Sequence, residues 1–175
     1  MSLKSGNEPV PVQIARTTIE VYIREGRIVT TDEVPPFGEN PAGCFVSIHA
    51  HGSLRGCIGT ILPTKETVAA EIIRNAVSAS TEDPRFDAVR SEELEELDIS
   101  VDILSEPEPV RSTDELDPEK YGVIVTSGIR RGLLLPALDG VDTVYDQLAI
   151  ARRKGGIAPD EQCAIQRFTV VRYSR

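Results

Sequence analysis

The sequence lacks the features that would place it in or across a membrane. It has no apolar run near the roughly 20 residues that a transmembrane helix needs. Its N-terminus has no basic segment followed by an apolar core, so no signal peptide is predicted. Residues 1–9 are expected to form an N-terminal tail, whose opening Met-Ser-Leu resembles an expression remnant. A single domain is expected over residues 10–175.

Metal-binding and disulfide patterns are also missing. The 175 residues include three cysteines and two histidines. An odd number of cysteines without framework spacing favours free thiols in a reducing cytoplasm. Cys44, His49, His51 and Cys57 are ligand-type residues, but no CxxC or HxxxH motif supports them. Since Cys44 and His49 would project to opposite faces of one strand, no metal site is predicted.

A broad basic surface is absent as well. The formal net charge is −9, and the basic residues occur mostly in short groups such as Arg130-Arg131. Proteins that bind nucleic acids usually carry a basic footprint. The charge balance therefore argues against DNA, RNA and membrane-surface binding. A hydrophobic content of 40% in 175 residues suits one well-cored globular domain.

Hydrophobic periodicity predicts an α+β fold with a largely antiparallel sheet flanked by helices. Strands and helices are interspersed without strict βαβ alternation, which disfavours a parallel sheet. Helices are expected from three-and-four spacing, and strands from alternation or short apolar runs. The expected helices are residues 10–25, a segment from an N-cap at Thr64 to near Ser80, a short surface helix over 91–97, and residues 144–154. The expected strands are residues 44–50, 99–104, 123–125, 133–135 and 164–173.

The most informative stretch is the heptad Leu54-Arg55-Gly56-Cys57-Ile58-Gly59-Thr60, which can pair with residues 44–50 as a hairpin. A two-residue loop, Gly52-Ser53, would mix apolar residues with the histidines. A three-residue loop would pair Ala50 with Leu54, His49 with Arg55 and Ser47 with Cys57. The second register segregates the faces and is preferred, because a slip of one residue exchanges them.

In that register Ser47, His49, Arg55 and Cys57 share one polar face. A neighbouring cation favours the thiolate form of a cysteine, and His49 could accept the proton. Gly56 and Gly59 would let a substrate approach the backbone, where exposed amides could stabilise an oxyanion. The competing interpretation is structural, since free cysteine is commonly buried and interior glycine often marks a bulge.

The sequence resembles the AMMECR-one domain family, whose hallmark is Leu54-Arg55-Gly56-Cys57-Ile58-Gly59. The resemblance covers roughly residues 10 to 173. It continues through Asn75-Ala76, Asp83-Pro84-Arg85-Phe86, Glu93-Leu94, Ile99 to Ser105, Tyr121 to Val125, Arg131 to Pro136, Gly140 to Val144 and Arg167-Phe168.

The resemblance implies a single compact α+β unit with two lobes and the hallmark segment lining a cleft. It implies no defined reaction. It also suggests, as partners in a shared pathway, Memo-like proteins, which resemble extradiol dioxygenases, and radical SAM proteins. These associations are analogy and fix no substrate or cofactor.

Four further residues are candidates for binding a substrate or partner. Asn75 lies near an apolar helix stripe, so its amide either ties the helix to a loop or holds a ligand. Asp83 and Arg85 flank Pro84, where an Asx-type turn and a local ion pair compete with anion binding by Arg85. Arg131 presents the same choice at a hairpin tip.

Two functions therefore compete. The first is a cytoplasmic small-molecule enzyme, or the catalytic partner in a modification pathway, with Cys57 as nucleophile and His49 as base. Arg55 would bind an anionic group or promote ionisation of the thiol. The alternative is a non-catalytic protein-interaction module that uses the same cleft. A rim of exposed apolar residues would favour the module. A reactive thiol in a polar pocket would favour the enzyme.

Overall fold

The computed structural model describes residues 7–175. The helices are α1 (Val10–Glu25), α2 (Val68–Thr81) and α3 (Val144–Lys154), with 3₁₀ turns at Thr31–Glu33, Ser91–Glu96 and Thr113–Glu115. The strands are β1 (Cys44–Ala50), β2 (Ser53–Thr60), β3 (Leu97–Leu104), β4 (Glu108–Pro109), β5 (Gly122–Ser127), β6 (Arg130–Leu134), β7 (Ala164–Phe168) and β8 (Val170–Tyr173). No described helix is both long enough and apolar enough to cross a bilayer.

The strands form two sheets, which belong to two compact units. The first unit runs to Ile103 and includes Val171–Arg175, and the second is Leu104–Val170. Sheet one has the order β2-β1-β3-β8, and sheet two has the order β4-β7-β5-β6. The pairs β1 with β2 and with β3, and β5 with β6 and with β7, are antiparallel. The predicted α+β class with antiparallel sheets and flanking helices is confirmed.

The core of the first unit lies between α1, α2 and one face of sheet one. Strand alternation buries Cys44, Val46 and Ile48 on this face, where they join apolar residues of α1 and α2. At the start of α1 the buried Glu8 carboxylate accepts from Arg16, whose guanidinium also reaches the Leu97 carbonyl. Of the predicted tail, residues 1–6 lie outside the described residues.

The second unit has a separate core. Val123 and Val125 of β5, Leu134 of β6 and Ala151 of α3 are buried together. The final predicted strand is in fact two strands, β7 and β8, which separate at Thr169 and pair in different sheets. A single apolar run cannot reveal that its ends belong to different sheets, because alternation reports burial and not the partner strand.

One local prediction differs from the structure. The cap of α2 is Thr67, whose side chain accepts from the Ala70 amide, and not Thr64. Thr64 instead donates its hydroxyl to the buried Glu71 carboxylate. The short surface helix predicted over 91–97 is present as a 3₁₀ turn, Ser91–Glu96, whose Glu93 side chain bonds to Arg55 of the hairpin.

Candidate functional site

The hairpin β1–β2 presents Cys57 on the face opposite the core. Ser47 pairs directly with Cys57 and, on its other side, with Ser100 of β3. The Ser47 Oγ and Cys57 Sγ atoms are 3.2 Å apart and hydrogen-bonded, and the Cys57 residue is partly exposed. The register predicted for this inner part of the hairpin is therefore confirmed.

Near its tip, the hairpin departs from the prediction. The turn is the two-residue His51-Gly52, both at positive φ, and a β-bulge shifts the register between Ile48 and His49. His49 therefore pairs with Leu54, and the predicted pairing of His49 with Arg55 is wrong. Arg55 is the extra residue of the bulge, a feature that re-aims side chains locally.

All three nitrogens of the Arg55 guanidinium donate to groups of the protein. Its Nε and Nη2 donate to the two carboxylate oxygens of Glu93 at 2.8 and 3.1 Å. Its Nη1 donates to the Asp87 carbonyl and Nη2 also to the Ala88 carbonyl. Hydrogen bonding to Glu93 raises the pKa of Arg55, and the same bonds lower the pKa of Glu93. Arg55 thus ties the bulge to the segment after α2.

A loop after α2 holds the backbone of Cys57. The Asp83 carboxylate accepts from the Cys57 amide at 2.9 Å and from Nε and Nη2 of Arg85. Arg85 Nη2 also lies 3.4 Å from the Cys57 carbonyl oxygen. Hydrogen bonds from Arg85 and from two backbone amides hold the pKa of the buried Asp83 carboxyl well below its usual range. Both the Asx-type turn and the ion pair predicted for this segment are present.

Gly56 and Gly59 pack against the protein itself. A Cβ at Gly56 would collide with the Ala79 carbonyl oxygen of α2, and one at Gly59 with the Phe45 ring. Both glycines therefore permit close internal packing, and the space beside them is already filled.

Asn75 connects α2 to sheet one. Its side-chain amide is buried and donates to the Cys44 carbonyl at 3.0 Å and to the Thr60 hydroxyl at 3.1 Å. Asn75 thus ties the helix to strands β1 and β2 rather than to a loop. Cys44 lies alongside, and burial raises the pKa of its thiol to about 12. Of the two cysteines in the hairpin, only Cys57 reaches solvent.

A shallow depression of about 480 Å³ lies along the same face of sheet one. Its lining is His49, Gly52, Asp98, Ile99, Ser100, Arg172, Ser174 and Arg175. His49 pairs across β1–β3 with Asp98. Arg172 of β8 donates through Nε and Nη2 to the buried Asp102 carboxylate, both at 2.7 Å. Hydrogen bonding to Asp102 raises the pKa of Arg172.

Comparison with known proteins assigns the chain to a family. The AMMECR1 family model matches residues 12–174. The chain belongs to the AMMECR1 family. It is similar to a Thermotoga maritima protein, with 54% identity over 166 residues that cover 93% of this chain and 95% of that protein. The crystal structure of the uncharacterised protein PH0010 from Pyrococcus horikoshii matches with a TM-score of 0.84 and 29% identity, covering 93% of this chain and 88% of that one.

A second AMMECR1-type relative is much longer than this chain. A Clostridium acetobutylicum protein is 45% identical over 177 residues, which cover 98% of this chain but only 37% of the relative. In that relative, a counterpart of nearly the whole chain is thus joined to a larger remainder.

The AMMECR1 fold brings most of the sequence-predicted residues to one place. Ser47, His49 and Cys57 share the exposed face of sheet one, while Asp83 and Arg85 hold its edge. Arg131 lies in β6 of the second unit, opposite Thr126, and its side chain is exposed. Within residues 7–175, no group of three or more His, Cys, Asp or Glu residues is arranged to hold a metal ion.

Sequence reasoning missed Ser100, Asp102 and Arg172. The alternation of residues 99–104 already placed Ser100 and Asp102 on the face opposite Ile99 and Val101, so their shared face was accessible to prediction. Arg172 is 70 residues from Asp102 in the chain and lies on the last strand. No local pattern identifies that partner.

Proposed function

We propose that this AMMECR1-family chain is a thiol-dependent small-molecule enzyme, or the catalytic partner in a modification pathway, with Cys57 as its nucleophile. One observation carries the proposal. Cys57 is partly exposed and its thiol is hydrogen-bonded to Ser47, while Asp83 accepts from its amide and Arg85 donates to its carbonyl oxygen. A nucleophile whose main chain is fixed in this way presents its sulfur in one defined position, as covalent catalysis requires.

The proposed chemistry is attack by sulfur on an electrophilic carbon such as an acyl carbonyl. The Cys57 thiol gives its proton to His49, and the Sγ–C bond forms as the carbonyl π electrons move onto oxygen. When the carbonyl re-forms, the leaving group departs with its bonding electrons and takes the proton from His49. The product is a thioester, which water or a second substrate then cleaves. His49 lies two residues from Ser47, the partner of Cys57, and so is diagonal to Cys57 on the same face; in the proposed step a water molecule or the substrate itself relays the proton.

The oxyanion would be stabilised by side chains rather than by the Cys57 amide. That amide already donates to Asp83. The nearest hydroxyl on this face belongs to Ser47, which is bonded to the sulfur in the free protein. Its release toward substrate oxygen would supply a donor at the right place.

A partner protein is part of the proposal. The long Clostridium acetobutylicum relative carries the counterpart of this chain within a larger polypeptide. Covalent linkage raises the effective concentration of two modules, which is useful when they act in sequence. The family resemblance points to Memo-like and radical SAM proteins as such partners, in the cytoplasm.

A non-catalytic interaction module is the second candidate, and exposed leucines favour it. Leu54 opens the heptad and Leu62 follows it, and both side chains are exposed. A partner segment could cover these two apolar residues. This function needs Leu54 and Leu62 but does not need a reactive Cys57.

Site-resolved alkylation separates the two candidates. Native protein is treated with iodoacetamide at pH 7 and each cysteine is quantified by peptide mass spectrometry. The enzyme proposal expects Cys57 to react at least about 100-fold faster than the buried Cys44, because only exposed thiolates react readily. His49→Gln is expected to slow Cys57, whereas the matched control His51→Gln, at the exposed turn, leaves the rate unchanged.

Labelling of Cys57 only on unfolding would overturn the enzyme proposal. In that event, Leu54→Ser and Leu62→Ser become the decisive variants, because the module requires them to weaken partner binding without lowering the thermal stability of the chain.

A further inference from the structure

Two ion pairs on sheet one have the same arrangement. In the Asp83–Arg85 pair and the Asp102–Arg172 pair, Nε and Nη2 of the arginine each donate a hydrogen bond to one carboxylate oxygen of the aspartate. Each aspartate side chain is 2% exposed, while the Arg85 and Arg172 side chains are 56% and 58% exposed. Each pair therefore buries its negative end and presents its positive end to solvent.

Each guanidinium also keeps unused donors. Among the described residues, no protein group accepts a hydrogen bond from Nη1 of Arg85 or of Arg172. A guanidinium has five N–H donors in a fixed fork, and the buried carboxylate fixes the orientation of that fork. The free edge is thus pre-oriented for an incoming acceptor. By contrast, Arg55 uses all three of its nitrogens within the protein.

The two arginines lie at opposite edges of the sheet that carries Cys57, Arg85 beside β2 and Arg172 on β8. Arg85 approaches from the loop beyond the edge strand β2, with Nη2 at 3.4 Å from the Cys57 carbonyl oxygen. Arg172 comes from β8 and lines the depression next to Ser100, which pairs with the Ser47 that holds the thiol.

We propose that Arg85 and Arg172 form an anion-binding pair around Cys57, and that the substrate is an electrophile carrying a carboxylate beside the carbon that the thiol attacks. The inference rests on the proposed function and names the substrate class for it. A carboxylate matches the planar fork of arginine, and the anion would contact the outward edges. On a chain with net charge −9, oriented local cations are what allow an anion to approach.

The test compares two alkylating reagents that differ in one charge. Iodoacetate and iodoacetamide each transfer a two-carbon group to sulfur with loss of iodide, but only iodoacetate carries a carboxylate. The rate ratio of iodoacetate to iodoacetamide at Cys57 is measured in native protein and in the urea-unfolded chain. We expect the native ratio to be roughly fivefold higher or more, and to fall with added salt, because nearby cations attract only the anionic reagent.

The ratio separates anion recognition from reactivity of the thiol. If loss of a cation only alters the ionisation of the Cys57 thiol, the rates with both reagents change by the same factor. The ratio of the iodoacetate rate to the iodoacetamide rate therefore changes only when recognition of the carboxylate changes. Arg85→Gln and Arg172→Gln are each expected to lower the ratio toward the unfolded value. Arg74→Gln is the matched control, since it removes the same charge from α2, which covers the opposite face of the sheet. Arg85→Lys and Arg172→Lys keep the aspartates paired if the Gln variants unfold.

Malonate titration supplies an independent measurement. The Nε–H resonances of Arg85 and Arg172, followed by NMR, are expected to shift with added malonate, while that of Arg74 stays in place. If both reagents label Cys57 with the unfolded ratio and malonate moves neither resonance, the anion pair is wrong and the nucleophile proposal stands. If neither reagent labels native Cys57, the enzyme proposal fails, and the malonate titration alone decides whether the arginine pair binds anions.

Discussion

The two hairpins of the molecule share one packing device but differ in what they expose. Each contains an Arg-Gly dipeptide, Arg55-Gly56 in β2 and Arg131-Gly132 in β6. Gly56 lies against the Ala79 carbonyl of α2, and Gly132 lies against the Ala151 carbonyl of α3. In both cases the absence of a Cβ lets a helix backbone touch a strand.

The residue after the glycine marks the difference. Cys57 pairs with Ser47, whereas Leu133 pairs with Ile124. The β5–β6 hairpin thus makes the same contact between strand and helix with an apolar pair after its glycine. The contact therefore does not require a thiol and a hydroxyl at the corresponding positions of β1 and β2. The comparison assigns Gly56 of the heptad to packing, and this packing does not require a cysteine at position 57.

The largest expected effect comes from adding a methyl group at either glycine. Gly56→Ala and Gly132→Ala would each drive a Cβ into a backbone carbonyl that cannot rotate away. Overpacking costs about 1–3 kcal/mol and more where backbone must move. We expect both variants to lower the free energy of unfolding by at least this amount, measured by urea denaturation.

Gly128→Asn is the control for these variants. Gly128 lies at the tip of the β5–β6 hairpin with φ +57, and nothing lies within 4 Å of an added Cβ. Asparagine tolerates that backbone conformation, so the change should alter the free energy of unfolding by less than about 1 kcal/mol. If Gly56→Ala were as mild as Gly128→Asn, the shared packing device would not exist.

The ion pairs beside the two hairpins give the second contrast. Asp83 is nearly fully buried behind Arg85, whereas the Glu161 side chain that binds Arg130 is 27% exposed. Asp83→Asn keeps the shape but turns an amide donor toward the Arg85 donors. We expect a loss of about 2 kcal/mol, the usual worth of a hydrogen bond to a charged group. Glu161→Gln should cost less, because solvent screens its ion pair.

The pH dependence of stability checks the same pairs. Arg85 holds the pKa of Asp83 well below its ordinary value, and the Ser127 hydroxyl and Arg130 lower that of Glu161 to about 2. A carboxyl whose folded pKa is depressed stabilises the protein above its unfolded pKa of about 4, and this contribution is lost as pH falls through the folded value. Between pH 4 and pH 2, Asp83→Asn should therefore lose stability less steeply than the unchanged chain. A parallel slope for both proteins would contradict the assignment.

Features of the site that depend on residues close together in the sequence could be predicted, and features that depend on distant residues could not. Alternation along residues 44–50 and 53–60 was enough to pair Ser47 with Cys57, because side-chain faces repeat every two residues. Alternation did not predict the bulge at Arg55, because one extra residue leaves the apolar pattern nearly unchanged. The Asx turn at Asp83 could be predicted because its partners are adjacent in the sequence. The bond from the Cys57 amide to Asp83 could not, because the two residues are 26 positions apart.

The same limit applied to the fold. Hydrophobic periodicity predicted the bounds of α1, α3 and β1 well. The cap of α2, however, depended on which of two threonines bonds to a buried carboxylate. Glu71 accepts from Thr64, and this leaves Thr67 to cap the helix. Such competition is decided by tertiary packing, which local sequence does not contain.

The smallest expected change in the free energy of unfolding comes from replacing the arginine of either Arg-Gly dipeptide, Arg55 or Arg131, by lysine. Arg55→Lys removes a bidentate bond to Glu93 and two bonds to loop carbonyls in a half-buried setting, where the Arg55 and Glu93 side chains are 17% and 23% exposed. A lysine cannot reproduce that fork, so we expect a loss of roughly 1 kcal/mol in the free energy of unfolding. Arg131→Lys changes an exposed side chain and should stay within about 0.5 kcal/mol. Equal losses would mean that Arg55 adds nothing beyond its charge. In that case the bulge would be held by β-sheet pairing alone, and only Asp83 and Arg85 of the segment after α2 would position Cys57.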